Sequence, residues 1–210
     1  MTHLTVYHVP GSRSLRSVWL LHELGVDFAV KEMPFDLRVL RTPDYLAVSP
    51  LGRVPALRHD DMNLFESGAI AQYLTWRFPE KNLGRAPGHP EWPMWLQWIH
   101  FAETMAVHGA SQVQQQVFIR PEDRSPVIKD LESKRLVKCY EVIDRALGDQ
   151  EYLLPGGFSA ADVGVGYSVH LGLGFTPMPE GLARVRAYYD RLAARPAFQA
   201  ASAGDRKPAA

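Results

Sequence analysis

Two short stretches carry the residue types that could recognise a small peptide-like ligand. Val54-Pro55 lies inside the apolar run Leu51-Gly52-Arg53-Val54-Pro55-Ala56-Leu57. Glu66-Ser67 stands where a strand-like segment gives way to a helical one, after a turn at Asp60-Asp61-Met62-Asn63. Proline cannot donate to a sheet ladder, so Pro55 belongs at a strand start or an edge. The residue before it is held extended, which can leave Val54 with backbone groups pointing outward. Together these features predict an exposed strand edge able to pair with a peptide backbone. Beside it, a helix start could hold a carboxylate. A third stretch, Ser12-Arg13-Ser14, follows the breaker Pro10-Gly11, and either serine can cap the helix that begins there.

Hydrophobic spacing shows the elements that must position these residues. Leu4–Val9 reads as a strand. Leu15, Val18, Trp19, Leu21 and Leu24 keep a helical period that Gly25 closes, and Phe28–Met33 reads as a second strand. Strand, helix and strand in this order form a βαβ unit with a parallel pair. Residues 34–50 read as irregular, with one short helix near Pro43–Val48. Val54–Arg58 and Met62–Phe65 form a hairpin, and Ser67–Phe78 is a helix with Ile70, Tyr73, Leu74 and Phe78 on one face. Pro79–Pro93 holds four prolines and two glycines, which marks a boundary. Beyond it strand signals disappear. Helices are expected from Trp92 to about Val117, over Arg124–Leu147 with Leu131, Leu136, Tyr140 and Ile143 inward, from Ser159, over Gly181–Ala194 and from Pro196. Ser159 and Asp162 have the spacing of a capping box. The tail Ala203–Ala210 is expected to fray. The chain thus divides into an α/β domain over residues 1–80, a linker over 81–91 and an all-α domain over 92–210.

Bulk properties narrow the function classes. Lys+Arg and Asp+Glu both number 23 in the 210 residues, and the zero net charge argues against nucleic acid or an anionic membrane as partner. A hydrophobic content of 46% with 22% charged residues fits an ordinary globular chain with a real core. The single cysteine, Cys139, excludes an internal disulfide and reads as buried packing. The eight histidines are scattered with no helical pair four residues apart, so no metal site is expected. The opening Met-Thr-His-Leu-Thr-Val has no signal-peptide pattern and no apolar run is long enough to span a membrane, so a cytoplasmic location is expected.

The order β-α-β-α-β-β-α followed by a helical half, with Val54-Pro55 at the third strand and Glu66-Ser67 opening the third helix, resembles the cytosolic glutathione transferases. The resemblance extends over nearly the whole chain. It includes Ser49-Pro50-Leu51-Gly52-Arg53-Val54-Pro55-Ala56-Leu57, Leu64-Phe65-Glu66-Ser67-Gly68-Ala69-Ile70 with Tyr73-Leu74, and Phe158-Ser159-Ala160-Ala161-Asp162. Tyr7-His8-Val9-Pro10-Gly11-Ser12-Arg13-Ser14-Leu15-Arg16 is similar to the first strand and helix start of bacterial and fungal members. The resemblance implies a thioredoxin-like N-terminal domain followed by a C-terminal helical bundle. It also implies a homodimer with glutathione as co-substrate, and conjugation of the glutathione thiolate to small hydrophobic electrophiles.

In the family the valine before a cis-proline pairs its backbone with the cysteinyl part of glutathione, which the resemblance carries to Val54 and Pro55. Glu66 would meet the γ-glutamyl ammonium, Ser67 the adjoining carboxylate, and Arg53 the glycyl carboxylate or its surroundings. Thiolate formation calls for a hydrogen-bond donor at the first helix start. Ser12 best matches the serine of serine-type members, with Ser14, Tyr7, Arg13 or a backbone donor as alternatives. Ser159 and Asp162 are implied to be structural. An acceptor pocket is expected between the domains, with Trp95, Trp98, Phe101, His108 and Gln112 as candidates by position. Two other readings use the same fold: a glutathione-dependent disulfide reductase or peroxidase, and a non-enzymatic stress or interaction protein.

Overall fold

A computed structural model describes residues 3–204. Two compact units divide the chain: residues up to Ala86 together with those from Ala194 onward, and Pro87–Ala193. The tail expected to fray lies largely outside the described residues.

The first unit is built on a four-stranded sheet. Its strands are β1 (Leu4–His8), β2 (Ala29–Glu32), β3 (Ala56–His59) and β4 (Met62–Phe65), in the order β2-β1-β3-β4. β1 pairs parallel with β2 and antiparallel with β3, and β3 pairs antiparallel with β4. Helix α1 (Leu15–Leu24) makes the crossover, and Gly25 ends it in the left-handed region at φ 60°. Two one-turn helices, α2 (Leu37–Leu40) and α3 (Pro43–Leu46), fill the connection to β3, and α4 (Ser67–Arg77) follows β4. The thioredoxin-like arrangement expected from the sequence is therefore present. Sequence spacing located only one of the two short helices. α2 is set by its cap, the Asp36 carboxylate accepting the Arg38 N–H at 2.8 Å. β3 begins at Ala56 rather than Val54, since Pro55 has no N–H to contribute to the ladder.

α1 is buried on almost every side. The reason is α9 (Pro196–Ser202), which packs against it within the same unit. Phe198 meets the Trp19 ring edge-on with centroids 4.9 Å apart. The Glu23 carboxylate accepts the Trp19 indole N–H at 2.8 Å and binds Arg195 through Nε at 2.6 Å and Nη2 at 2.7 Å. The helical domain expected over 92–210 thus yields its last helix to the first unit. A partly buried two-pronged charge pair and an aromatic contact hold that helix there.

The second unit comprises α5 (Trp92–Val113), α6 (Pro126–Leu147), α7 (Ala160–Leu173) and α8 (Ala183–Ala193). α5 continues into a π-helical turn at Gln114–Phe118. Ser125 caps α6 through the Ile128 N–H. Leu131, expected inward, is 43% exposed, while Leu136, Tyr140 and Ile143 are buried. α7 is apolar and buried nearly all round, as suits a central helix. Its small residues let neighbours approach closely. A Cβ on Gly164 would lie 3.1 Å from that of Ala102, and one on Gly172 would collide with the Tyr140 hydroxyl.

The Ser159–Asp162 capping box forms as expected. Asp162 also joins more distant segments, accepting hydrogen bonds from the Leu153 N–H at 3.0 Å and the Tyr188 hydroxyl at 3.1 Å. Burial pushes its carboxyl up to about 6, against the pull of those hydrogen bonds. A folded pKa above the unfolded value means that the native state holds the extra proton between about pH 4 and 6, so this group's contribution to stability grows as pH falls through that window. The gap in urea-unfolding free energy between wild type and the non-titrating Asp162→Asn is expected to widen by ~2 kcal/mol from pH 7 to pH 4. A gap that stays constant over that range would contradict the assignment.

Candidate active site

Three segments of the first unit line an open cleft of ≈ 380 Å³, part of it continuous with solvent. Arg13 comes from the turn before α1. Ser49, Leu51, Arg53, Val54 and Pro55 come from the loop before β3, and Phe65, Glu66 and Ser67 from the junction of β4 and α4. Five residues singled out in the sequence, Arg53, Val54, Pro55, Glu66 and Ser67, are therefore brought together.

The loop before β3 is organised around the Arg53 backbone. Its carbonyl accepts the Tyr45 hydroxyl and the Ser49 hydroxyl, each at 2.8 Å, and its N–H reaches Ser49 Oγ at 3.3 Å. Gly52 tightens the turn at φ +60°, where a Cβ would sit 2.5 Å from the Leu40 carbonyl oxygen. After this clamp, Val54 makes no backbone hydrogen bond to any described residue, and the ladder resumes at Ala56. The Val54–Pro55 peptide is cis. The Val54 side chain packs on the cluster of Tyr7, Val9, Met33, Leu40, Tyr45, Val48 and Ala56. The side chain is thus anchored while the backbone rim faces the cleft unpaired.

Glu66 precedes α4 in a conformation unusual for a residue with a side chain, φ 71° and ψ 110°. Such a backbone costs on the order of 1–3 kcal/mol and tends to mark functional positions. Its carbonyl accepts the Ile70 N–H at 2.9 Å, so the residue opens the helix although its carboxylate does not cap it. Ser67, the first residue of α4, is buried. The eleven-residue helix directs its N-terminal dipole toward the cleft wall. Arg13 and Arg53 contribute two guanidinium groups and Glu66 one carboxylate. Leu51, at 62% exposure, and Phe65 add apolar surface.

The residues considered for thiol activation are distributed differently. Tyr7 is buried in the core cluster, its ring 5.5 Å from that of Tyr45. Ser14 is fully buried, and its hydroxyl bonds His8 and Val9 instead of a helix N–H. Neither serine caps α1 in the expected way, although Ser12 Oγ accepts the Ser14 N–H at 3.3 Å. Ser12 is half-buried and lies next to Arg13, but is not itself among the residues lining the cleft. In the second unit, Trp95 and Trp98 are buried on α5. His108 bonds Glu132 at 2.7 Å, and the Gln112 amide donates to the Lys129 carbonyl and the Ser133 hydroxyl. These two polar side chains therefore hold α5 to α6.

Sequence reasoning gave no role to Tyr45 and Ser49. Ser49 lies in a quoted motif, but nothing local shows that its hydroxyl turns back onto the Arg53 backbone. The sequence offers Arg13 only as a thiol-activating alternative, whereas in the structure it forms part of the cleft wall. Among the described residues no group of three or more His, Cys, Asp or Glu side chains is arranged to hold a metal ion.

Known proteins share both the sequence pattern and the fold. Residues 2–75 match the family model described as glutathione S-transferase, N-terminal domain. The chain is 31% identical to glutathione S-transferase 1 of Zea mays over 196 residues, which span 90% of each protein. A glutathione transferase structure from Methylococcus capsulatus superposes with a TM-score of 0.80 at 30% identity, covering 95% of this chain and 97% of that one. A theta class glutathione S-transferase from Xanthomonas axonopodis pv. citri, solved with glutathione bound, gives 0.85 at 26% identity, covering 96% and 98%. With 31% identity across 90% of both proteins and a shared fold at 30% identity, the chain belongs to the glutathione S-transferase family.

Proposed function

We infer that the protein is a glutathione transferase, joining the sulfur of glutathione to the electrophilic carbon of a small hydrophobic substrate. One observation carries the reading: the cleft presents the complement of that tripeptide. Glutathione has an extended backbone, two carboxylates and one ammonium. The cleft offers an unpaired backbone rim at Val54, the guanidinium groups of Arg13 and Arg53, the Glu66 carboxylate and the N-terminus of α4 at Ser67. Val54 pairs with the cysteinyl unit, as in strand addition to a sheet edge. Glu66 meets the ammonium, Ser67 and the helix dipole receive the γ-glutamyl carboxylate, and Arg53 faces the glycyl end.

The chemical task is to ionise a thiol of ordinary pKa ~8.5. We assign this to Ser12, whose hydroxyl donates a hydrogen bond to the thiolate. Its place in the first turn before α1, beside the cleft residue Arg13, supports the role. With an activated aryl halide, the sulfur attacks the carbon bearing the halogen, the carbon–halogen bond breaks and halide departs. The thiol proton passes to water. Cys139 lies buried in α6, where burial pushes its thiol up to about 11, so no protein thiol is poised for a disulfide-reductase cycle. The family reading also carries a homodimer and a cytoplasmic location as proposals, open to light scattering and cell fractionation.

Purified protein is expected to be retained on immobilised glutathione and to conjugate an activated aryl halide; failure in both would end this reading. Ser67→Ala is expected to raise the KM for glutathione about tenfold with little change in kcat, the scale of one hydrogen bond to a charged group. An unchanged KM would remove Ser67 from the binding site. Cys139→Ala should conjugate within about twofold of wild type, whereas a large loss would bring a protein thiol into the reaction.

A further inference from the structure

The conjugation reading leaves unexplained a chain of short hydrogen bonds between the end of β1 and the start of α1. His8 Nδ1 lies 2.8 Å from Ser14 Oγ, and Ser14 Oγ lies 2.8 Å from Ser12 Oγ. The Val9 N–H reaches Ser14 Oγ at 3.1 Å, and the Ser14 N–H reaches Ser12 Oγ at 3.3 Å. Ser14 is 0% exposed and His8 5%. Ser12 is half-buried and adjoins Arg13 in the cleft wall. The chain therefore leads from a shielded imidazole to the residue assigned to the thiolate.

We propose that His8 and Ser14 are positioning residues that fix the polarity of the Ser12 hydroxyl, so that its proton is directed at the glutathione sulfur. The proposal rests on the Ser12 role inferred above. Counting protons carries it. A hydroxyl has one proton to give and two lone pairs to receive. When His8 carries a proton on Nδ1, the two acceptor sites of Ser14 are filled by His8 and by the Val9 N–H. The Ser14 proton must then go outward, to Ser12 Oγ at 2.8 Å in preference to the Val9 carbonyl at 3.3 Å. Ser12 now receives the Ser14 hydroxyl and the Ser14 N–H, so both its lone pairs are occupied. Its own proton has no acceptor left in the His8–Ser14–Ser12 series and is available to the thiolate.

The opposite polarity fails. With Nδ1 unprotonated, Ser14 donates to His8, Ser12 donates to Ser14, and no proton remains for the sulfur. Only the Nδ1-protonated form of His8 is compatible with Ser12 as donor. The imidazole thus acts at a distance, through two hydroxyls, without touching substrate.

The test is the pKa of the enzyme-bound glutathione thiol, read from thiolate ultraviolet absorbance, together with the pH profile of kcat/KM. Ser12→Ala is expected to raise the bound-thiol pKa by about one unit. His8→Leu and Ser14→Ala should raise it by a similar amount, with kcat/KM about tenfold lower near neutral pH and converging on wild type where the thiol is fully ionised. His8→Asn, whose amide can donate from near the Nδ1 position, should restore most of the shift. The double variant His8→Leu/Ser12→Ala should shift no further than Ser12→Ala alone. A normal thiol pKa in His8→Leu and Ser14→Ala beside a raised one in Ser12→Ala overturns the relay but keeps Ser12. Additive shifts in the double variant overturn it as well. No shift in Ser12→Ala removes the Ser12 role and the relay together. If His8→Leu does not fold, Ser14→Ala breaks the same chain at its middle and decides the question.

Discussion

The Arg53 carbonyl is the point on which the cleft turns. Its two lone pairs are occupied by Tyr45 and Ser49, and Ser49 also receives the N–H of the same residue. Burial pushes the Tyr45 phenol up to about 12, so at neutral pH it keeps its proton and remains a donor. With the peptide held on both sides, the next residue, Val54, makes no backbone hydrogen bond among the described residues. Unpaired backbone groups are tolerated only where water or a ligand can reach them. A rim of this kind is therefore a ready acceptor for another peptide, and it exists because the preceding residue is fully satisfied.

The same economy of polar partners recurs in the helical unit. Asp162 serves two backbone N–H groups, a serine and a tyrosine, from segments on both sides of it. Around it the unit relies on close approach, with glycines on α7 opposite Ala102 and Tyr140. One carboxylate supplies orientation and small side chains supply proximity. Neither unit needs a disulfide, and the lone cysteine is simply part of a packed helix face.

Much of the site was legible because its signals are local. A proline inside an apolar run and an acidic-serine pair before a helical period both state their backbone requirements within a few residues. The residues that hold the site were hidden because their partners lie elsewhere. Tyr45 and Ser49 act by reaching back onto a carbonyl several residues away. The serines at the start of α1 suggest ordinary capping, yet the Ser14 hydroxyl bonds the buried His8 imidazole at 2.8 Å and caps no helix N–H. Periodicity misplaced Leu131, which lies near the start of α6 and stays exposed. It did find β2, although every residue of that strand is exposed, since β2 is an edge strand bearing Lys31 and Glu32.

α9 reaches its partners from the far end of the chain: Arg195 and Glu23 are 172 residues apart in sequence. The ligand-binding half is therefore assembled from two separated stretches, like a book whose last page is bound beside its first. A gene fragment cut at the apparent boundary would deprive the Trp19 ring of Phe198 and the Glu23 carboxylate of Arg195. The first unit of this chain is complete only when both stretches are present, and a cut at the proline-rich linker leaves it unfinished.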